Sequence, residues 1–413
     1  MKPAITGGQY SFVRGCFGAY LFVHLVMLAP YAPELFSSAG VIGSGRDSPF
    51  LLLFPNVFAL YDAPWFTVVF VLLGAACAVP FGLGYRDRWF GLVIYYVWAC
   101  LFGRNPFISN PGIPYVGWLL IMQAFVPRAP YGSWEARGRP DPRGDWVFPT
   151  ALFIATWWVM AAGYSFSGYT KLISPSWIDG TAVSYVLSNP LARPWVLPDL
   201  VLMLPDVALR GMTWFVLGLE LFYLPLAFFR RVRPWIWVAM VGMHLGLILM
   251  IDFADLTFGM LMLHLFTFDP AWVPGVAPGR TDTVFYDGHC GLCHRSVRFI
   301  LAEDRSGAAF EFAINGGPVF LERLDDATRR WVPDSVVVLT GDRRVLVRSA
   351  AFLEILGRLG GWWRVVGWLL RPIPRVVMDT AYDVVARVRH RIFATPADVC
   401  PIVPPELGRR FLG

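Results

Sequence analysis

Charge is scarce in this 413-residue chain: Asp, Glu, Lys and Arg make up 15%, where an ordinary soluble domain carries about 25%. With 56% of residues hydrophobic, there is more apolar surface than water-soluble packing hides, and an ordinary soluble globule is excluded. Histidine is sparse too, six in all. None of those in the apolar part shows the H-x-x-x-H or H-x-x-E-H spacing of a helix-borne metal site, which argues against a metal centre there. No Gly-rich phosphate loop and no catalytic serine arrangement stands out. No small-residue cleavage site follows the first apolar run, so that run is expected to stay as a span and not to leave as a signal peptide. The net charge is +6, but the arginines gather at the ends of apolar runs and across the last domain. Anionic lipid headgroups, and not nucleic acid, suit that pattern.

The apolar runs fill residues 10–272, and charge rises after Asp282. The expected organisation is a polytopic helical membrane domain over 1–272, a Pro/Gly-rich linker over 273–282 and a soluble α/β domain over 283–413. A bilayer core takes roughly 20 apolar residues as helix. Spans are expected near 12–31, 64–84, 88–103, 113–127, 146–166, 211–229, 233–251 and 255–268, eight in all, while 50–61 and 183–204 are apolar but broken by proline. With eight spans the larger set of basic residues, including Arg14, Arg86, Arg128 and Arg230, falls on one side. The positive-inside rule then puts both termini in the cytoplasm, in an inner or plasma membrane, and Lys171 on the opposite side from the C-terminal domain.

Ionisable groups within a bilayer are costly and usually face a partner or water. Four stand out: Lys171, Glu220, His244 and His264. Lys171 is either a lysine snorkelling at a helix end or a general base tuned by desolvation. Glu220 is too near mid-span to snorkel, so it is expected either in a structural pair or in chemistry. His244 and His264 suit helix packing better than metal ligation. Cys16, Cys77 and Cys100 fall in expected spans, where thiols are usually inert.

In order, RNPFI at 104–108, AGYSFSGYTKL before PSWIDGTAVSYVL, LGLELFYLPLAFFRRVRPW, MVGMHLGLILM and HLFTFDPAW resemble the HTTM domain. That is the membrane region shared with vitamin K-dependent γ-carboxylases, and the resemblance covers roughly residues 10–272. It implies that Lys171 stands where the family places the base that deprotonates a reduced naphthoquinone. It also implies a substrate pocket to which Glu220 and His244 contribute. The carboxylases use a histidine in a loop matching RNPFISNPG, and none stands there in this chain. What the resemblance implies is therefore a quinone- or lipid-like pocket more than glutamate carboxylation.

The segment TVFYDGHCGLCHRSVRFIL, 283–301, sets a C-x-x-C pair between a strand-like and a helix-like run. Two thiols three positions apart at a helix start can cycle between dithiol and disulfide, and a helix N-terminus favours a thiolate. The downstream pattern predicts strand 283–287, helix 291–303, strand 309–314, helix 318–330, strands 335–340 and 344–348, helix 349–359, and later helices near 362–371 and 375–393. That order is thioredoxin-like. Cys290 is expected to be the attacking thiolate, as the more exposed sulfur, and Cys293 to resolve the mixed disulfide. DGHCGLC, SVVVLTGDRRVLVRSAAFLEIL and the tail MDTAYDVVARVRHRIF…CPIVPPELGRRFL resemble the DCC family, regarded as thiol–disulfide oxidoreductases, over 282–412. The resemblance implies a role for Asp287, as proton acceptor or merely at the strand end. It also puts Pro333 where thioredoxin folds set a proline facing the thiols.

Other readings of the thiols remain. C-x-x-C-H, ending at His294, also attaches c-type haem. Zinc would take Cys290 and Cys293 with two of His289, His294, His390 and Cys400. A structural disulfide is disfavoured in a cytoplasmic domain, and Cys400 suits packing. The function expected is a membrane-bound thiol–disulfide oxidoreductase that needs no cofactor for thiol exchange. Its expected partners are the bilayer and a redox protein or a quinone/hydroquinone. The alternatives are a carboxylase- or quinone-epoxidase-like enzyme with Lys171 as base, and a non-enzymatic maturation scaffold.

Overall fold

The computed structural model describes residues 5–108, 110–144, 146–252, 254–275, 280–393 and 403–412. Among the described residues the chain is mostly helical with one small mixed sheet, and it divides into two compact units. Residues 13–128 and 149–268 form the first, and residues 2–12, 129–148 and 269–413 the second.

Eight longer helices account for the apolar runs: α1 (Gly7–Leu28), α2 (Pro64–Leu83), α3 (Asp87–Arg104), α4 (Gly112–Met122), α5 (Thr150–Lys171), α6 (Asp206–Leu221), α7 (Arg233–Met250) and α8 (Ala254–Thr267). Among the described residues three stretches are long and apolar enough to cross a membrane, Gly7–Phe36, Pro64–Leu83 and Arg233–Met250. Val196–Leu202 and Asp206–Leu221 pass only as a pair, bent by 107°. These stretches mark a membrane-associated protein. Leu83 ends α2 because Gly84 takes a left-handed conformation at φ 70°, the usual glycine role after a helix. Asp87 then opens α3 and pairs with Arg14 at 2.9 Å, both buried. Gly168 of α5 lies so close to the end of α6 that a Cβ there would meet the Leu221 nitrogen at 2.4 Å. That approach brings the last turn of α5 beside Glu220.

In the second unit, β1 (Asp282–Tyr286), β2 (Phe310–Ile314), β3 (Val337–Leu339) and β4 (Val345–Val347) form one sheet in the order β2-β1-β3-β4. β1 and β2 are parallel, with Val284 opposite Phe312. β3 runs antiparallel to both β1 and β4. Side chains alternate across β1 as a strand requires: Val284 and Tyr286 pack on one face with Phe312 and Val338, Phe285 on the other with Phe320 and Val337. The first face is covered by α9 (Gly291–Glu303) and α10 (Arg348–Leu359), and α11 (Gly361–Leu370) and α12 (Arg375–Ile392) follow. The outer edge of β2 is closed by the tail, where Phe312 N–H donates to the Arg410 carbonyl and Leu412 N–H to that of Phe312, both at 2.8 Å. The single helix expected over 318–330 is two, Pro318–Arg323 and Asp326–Trp331. Leu324 turns extended and inward between them, and the Asp325 carboxylate caps the second by accepting from Thr328 N–H at 2.7 Å.

Candidate functional site

The thiol pair sits at the β1–α9 junction. Cys290 is the N-cap residue of α9, extended at φ −108°, ψ 115°, and its sulfur accepts the Cys293 N–H at 3.4 Å. Sulfur thus takes the place of the oxygen acceptor of an ordinary helix cap. Asp287 shapes the turn: its carbonyl accepts Cys290 N–H at 3.3 Å and its carboxylate accepts His289 N–H at 2.9 Å. His294 faces back into the same turn, its Nε2 2.9 Å from the Gly288 carbonyl. The expectation that Cys290 is the more exposed sulfur is not met. Cys290 is 1% exposed and Cys293 6%, because both lie in the core cluster between α9 and the sheet and α12 packs alongside α9.

Arg389 of α12 reaches this turn. Its guanidinium lies 3.5 Å from the Asp287 carboxylate and 2.8 Å from that of Asp334. Burial works against the Arg389 charge, but the Asp334 hydrogen bond and the charges of Asp334, Cys293 and Cys290 raise its pKa. The Cys293 thiol is pushed up to about 12, first by burial and then by its contact with Cys290, against the opposing pull of the Asp287 backbone and Arg389. Cys293 borders a cavity of about 230 Å³ walled by Leu292, Val336, Phe352, Tyr382 and Arg389. Tyr382 holds its wall by accepting Val336 N–H at 2.9 Å. Pro333 lies before β3, partly buried, and is not on the wall of this cavity.

In the first unit, Lys171, Glu220 and His244 line one cavity of about 660 Å³. Lys171 donates to the Glu220 carboxylate and, at 2.8 Å, to Ser167 Oγ, and it lies 5.0 Å from the Trp177 ring centre. Tyr164 stands beside them with its hydroxyl between two imidazoles, 2.7 Å from His244 Nε2 and 2.8 Å from His264 Nε2. One hydroxyl proton cannot serve both, so with neutral rings Tyr164 donates to one and accepts from an Nε2–H of the other. Among the described residues the Nδ1 atoms of both histidines have no hydrogen-bond partner. The remaining wall is apolar, with Val183, Phe215 and Met243.

The structure therefore gathers three membrane candidates in one cavity, and Cys290, Cys293 and Asp287 at one turn. Sequence reasoning missed Tyr164, Ser167, Arg389 and Tyr382. Tyr164, Ser167 and Lys171 fall three and four apart, hence on one helix face. A further signal is compositional: of 35 lysines and arginines only Lys2 and Lys171 are lysines. A guanidinium is always charged in a protein, so a position where a proton must leave requires the amine. Among the described residues no three His, Cys, Asp or Glu side chains gather as a metal would need. All the described cysteines are free thiols, and Cys400 lies outside the described residues.

Residues 284–395 match the family of DCC1-like thiol-disulfide oxidoreductases. The match lies within the C-terminal unit and supports a thiol–disulfide oxidoreductase as the class of enzyme. YuxK, an uncharacterized protein of Bacillus subtilis (strain 168), is 29% identical over 131 residues, covering 31% of this chain and 92% of its own length. No solved structure matches the chain.

Proposed function

We propose that the protein is a membrane-bound thiol–disulfide oxidoreductase in which Cys290 and Cys293 exchange electrons with a disulfide substrate. The observation that carries this reading is the N-cap position of Cys290, whose sulfur receives the Cys293 N–H at 3.4 Å. The sheet order β2-β1-β3-β4 and the helix after β1 support the thioredoxin-like reading. In the reducing direction the Cys290 thiolate attacks one sulfur of the substrate disulfide and expels the other as a thiolate, which takes up a proton. Cys293, deprotonated, then attacks the Cys290 sulfur of the mixed disulfide. The Cys290–Cys293 disulfide forms and the second substrate thiol leaves, two electrons having passed to the substrate. The Asp287 backbone and the Arg389 charge both favour the Cys293 thiolate that this step needs.

The cavity of Lys171, Glu220 and His244 supports an HTTM-like reading with a quinone-type or lipid-like ligand. Its residues fit such a molecule: apolar walls for a ring and tail, and a lysine and a carboxylate for the oxygens. A quinone supplies a two-electron, two-proton couple, which matches one dithiol. Lys171 would hold or receive the proton at its Nζ, with Glu220 and Ser167 orienting it. A second reading rests on the same cluster and makes Lys171 the base of a carboxylase- or epoxidase-like reaction served by the thiols.

Trapping tests the first reading. Cys293→Ser should accumulate a mixed disulfide with its substrate in membranes, visible on non-reducing gels, and Cys290→Ser should not. If Cys290→Ser leaves redox function intact while Lys171→Ala abolishes activity, the oxidoreductase reading fails and the second one stands.

A further inference from the structure

A cavity of about 520 Å³ in the thiol-bearing unit is walled by five arginines: Arg137, Arg139 and Arg143 from the loop before α5, and Arg295 and Arg298 from the flank of α9. Like charges gathered in one hollow repel, so the fold must hold them there. It does so with carbonyls. Arg143 Nε donates to the Leu301 carbonyl at 2.9 Å and its far end to that of Asp304. Arg298 donates to the carbonyls of Pro140, at 3.1 Å, and of Arg139. Arg139 donates to that of Ala129 at 3.0 Å. Arg137 stacks 3.5 Å over the Trp134 ring, and Arg295 lies 4.9 Å over that of Phe393.

Carbonyls and rings fix the direction of a guanidinium without cancelling its charge. Among the described residues no ion pair joins Arg137, Arg139, Arg143 or Arg295 to a carboxylate. Among the described residues Asp141 is the acidic one on the wall, and one of its oxygens is occupied by the Arg143 N–H at 2.9 Å. Between Arg137 and Arg139 the chain turns at Gly138, φ +78°, a conformation glycine adopts without strain, and a Cβ there would meet nothing within 4 Å. The volume falls in the range of about 300–1,000 Å³ typical of small-molecule sites, and guanidinium forks match phosphate oxygens two at a time.

We propose that this cavity binds a phosphate-bearing anion, supplied either as a phospholipid headgroup or as a soluble phosphate ester. The bound phosphate offsets the clustered positive charge and joins the 129–143 loop to the helix that begins at the thiols. Tyr131, also on the wall, remains a hydrogen-bond donor at neutral pH, since burial and then Glu303 push its pKa up to about 12.

The test uses full-length protein in detergent at low ionic strength, titrated calorimetrically with pyrophosphate and, separately, with dioctanoyl phosphatidylglycerol or phosphatidylcholine. Arg137→Gln with Arg295→Gln removes two charges that make no hydrogen bond to the loop, and Arg330→Gln is an exposed control. The expected result is that pyrophosphate or phosphatidylglycerol binds, that the double variant weakens binding at least tenfold, and that Arg330→Gln leaves it unchanged. Preference for phosphatidylglycerol over pyrophosphate assigns the headgroup, and the reverse assigns a soluble ester. Binding of neither probe, equal binding of phosphatidylcholine, or binding indifferent to the double substitution overturns the proposal.

Discussion

Arg389 and Asp287 stand 3.5 Å apart across the mouth of the thiol turn, although more than a hundred residues separate them in the chain. Arg389 is 4% exposed, so its charge acts on the sulfurs through protein and not through water, where screening is weak. Its bond to Asp334 is another matter. The Asp334 side chain is 79% exposed, and an ion pair with one partner in solvent contributes at most about 1 kcal/mol. The two effects separate by mutation. Asp334→Asn should cost less than about 1 kcal/mol and leave thiol reactivity nearly unchanged. Arg389→Gln should move the pH profile of Cys293 alkylation upward and slow reaction at fixed pH several-fold. Peptide-resolved mass spectrometry after a short iodoacetamide pulse measures both, and equal profiles for the two variants would remove Arg389 from the chemistry.

The height of the Cys293 pKa has a sign that can be checked. Folding raises it from the ordinary 9.0 to about 12, mainly through burial, so the folded state holds this proton more tightly than the unfolded chain. The contribution to stability is complete below pH 9 and declines as pH rises from 9 toward 12. Thermal melts of wild type and Cys293→Ser between pH 8 and 10.5 should therefore diverge, with the wild-type midpoint falling more steeply. In Cys290→Ser, where one raising influence is gone and burial remains, Cys293 alkylation should still have its midpoint above 9.0. A midpoint at or below that value would show that the thiol is not buried in solution.

Much of the thiol site was legible because its determinants are local. Strand period, the C-x-x-C spacing and the helix start lie within twenty residues, and the structure puts β1, Cys290 and α9 within a residue of where the pattern sets them. Cys290 exposure was not legible, since it depends on α12, and nothing in the periodicity of 375–392 says which face of the sheet that helix covers. The Lys171–Glu220 pair has the same character. Each residue is conspicuous alone in an apolar run, but their meeting depends on Gly168 allowing α5 against α6, a tertiary contact with no mark in either helix's own pattern.

Breaking that pair is informative because its two ends differ. The Lys171 side chain is 21% exposed and that of Glu220 8%, so Glu220→Ala leaves an ammonium facing an apolar cavity. Loss of one partner of a largely buried pair costs about 3 kcal/mol or more, to be read as a lower melting temperature in detergent. Lys171→Arg separates structure from proton chemistry. Arginine can keep the charge and the contact with Glu220 but cannot release its proton. Melting should stay near wild type, while any activity that uses Lys171 as a base falls at least a hundredfold, the lower bound of a general-base contribution of about 10²–10⁴. Retained activity in Lys171→Arg would make Lys171 a structural cation.

Tyr164 should matter through one oxygen. It is 5% exposed, and its histidine partners are 3% and 0% exposed, so no water replaces the hydroxyl if it is removed. Tyr164→Phe keeps the ring packing against Tyr223 and both imidazoles but strands two Nε2 atoms in an apolar interior. An unsatisfied buried polar group costs about 1–3 kcal/mol. The loss should approach the sum for two such groups unless the imidazoles, whose centres lie 5.7 Å apart, rotate to bond each other. The triple variant Tyr164→Phe, His244→Leu, His264→Leu discriminates between these outcomes. If stranded nitrogens are the cause, removing them restores most of the stability lost in Tyr164→Phe, because the two Nε2 atoms that the hydroxyl had satisfied are then gone. If the triple variant melts no higher than Tyr164→Phe, the hydroxyl bridge is not what holds α5, α7 and α8 together.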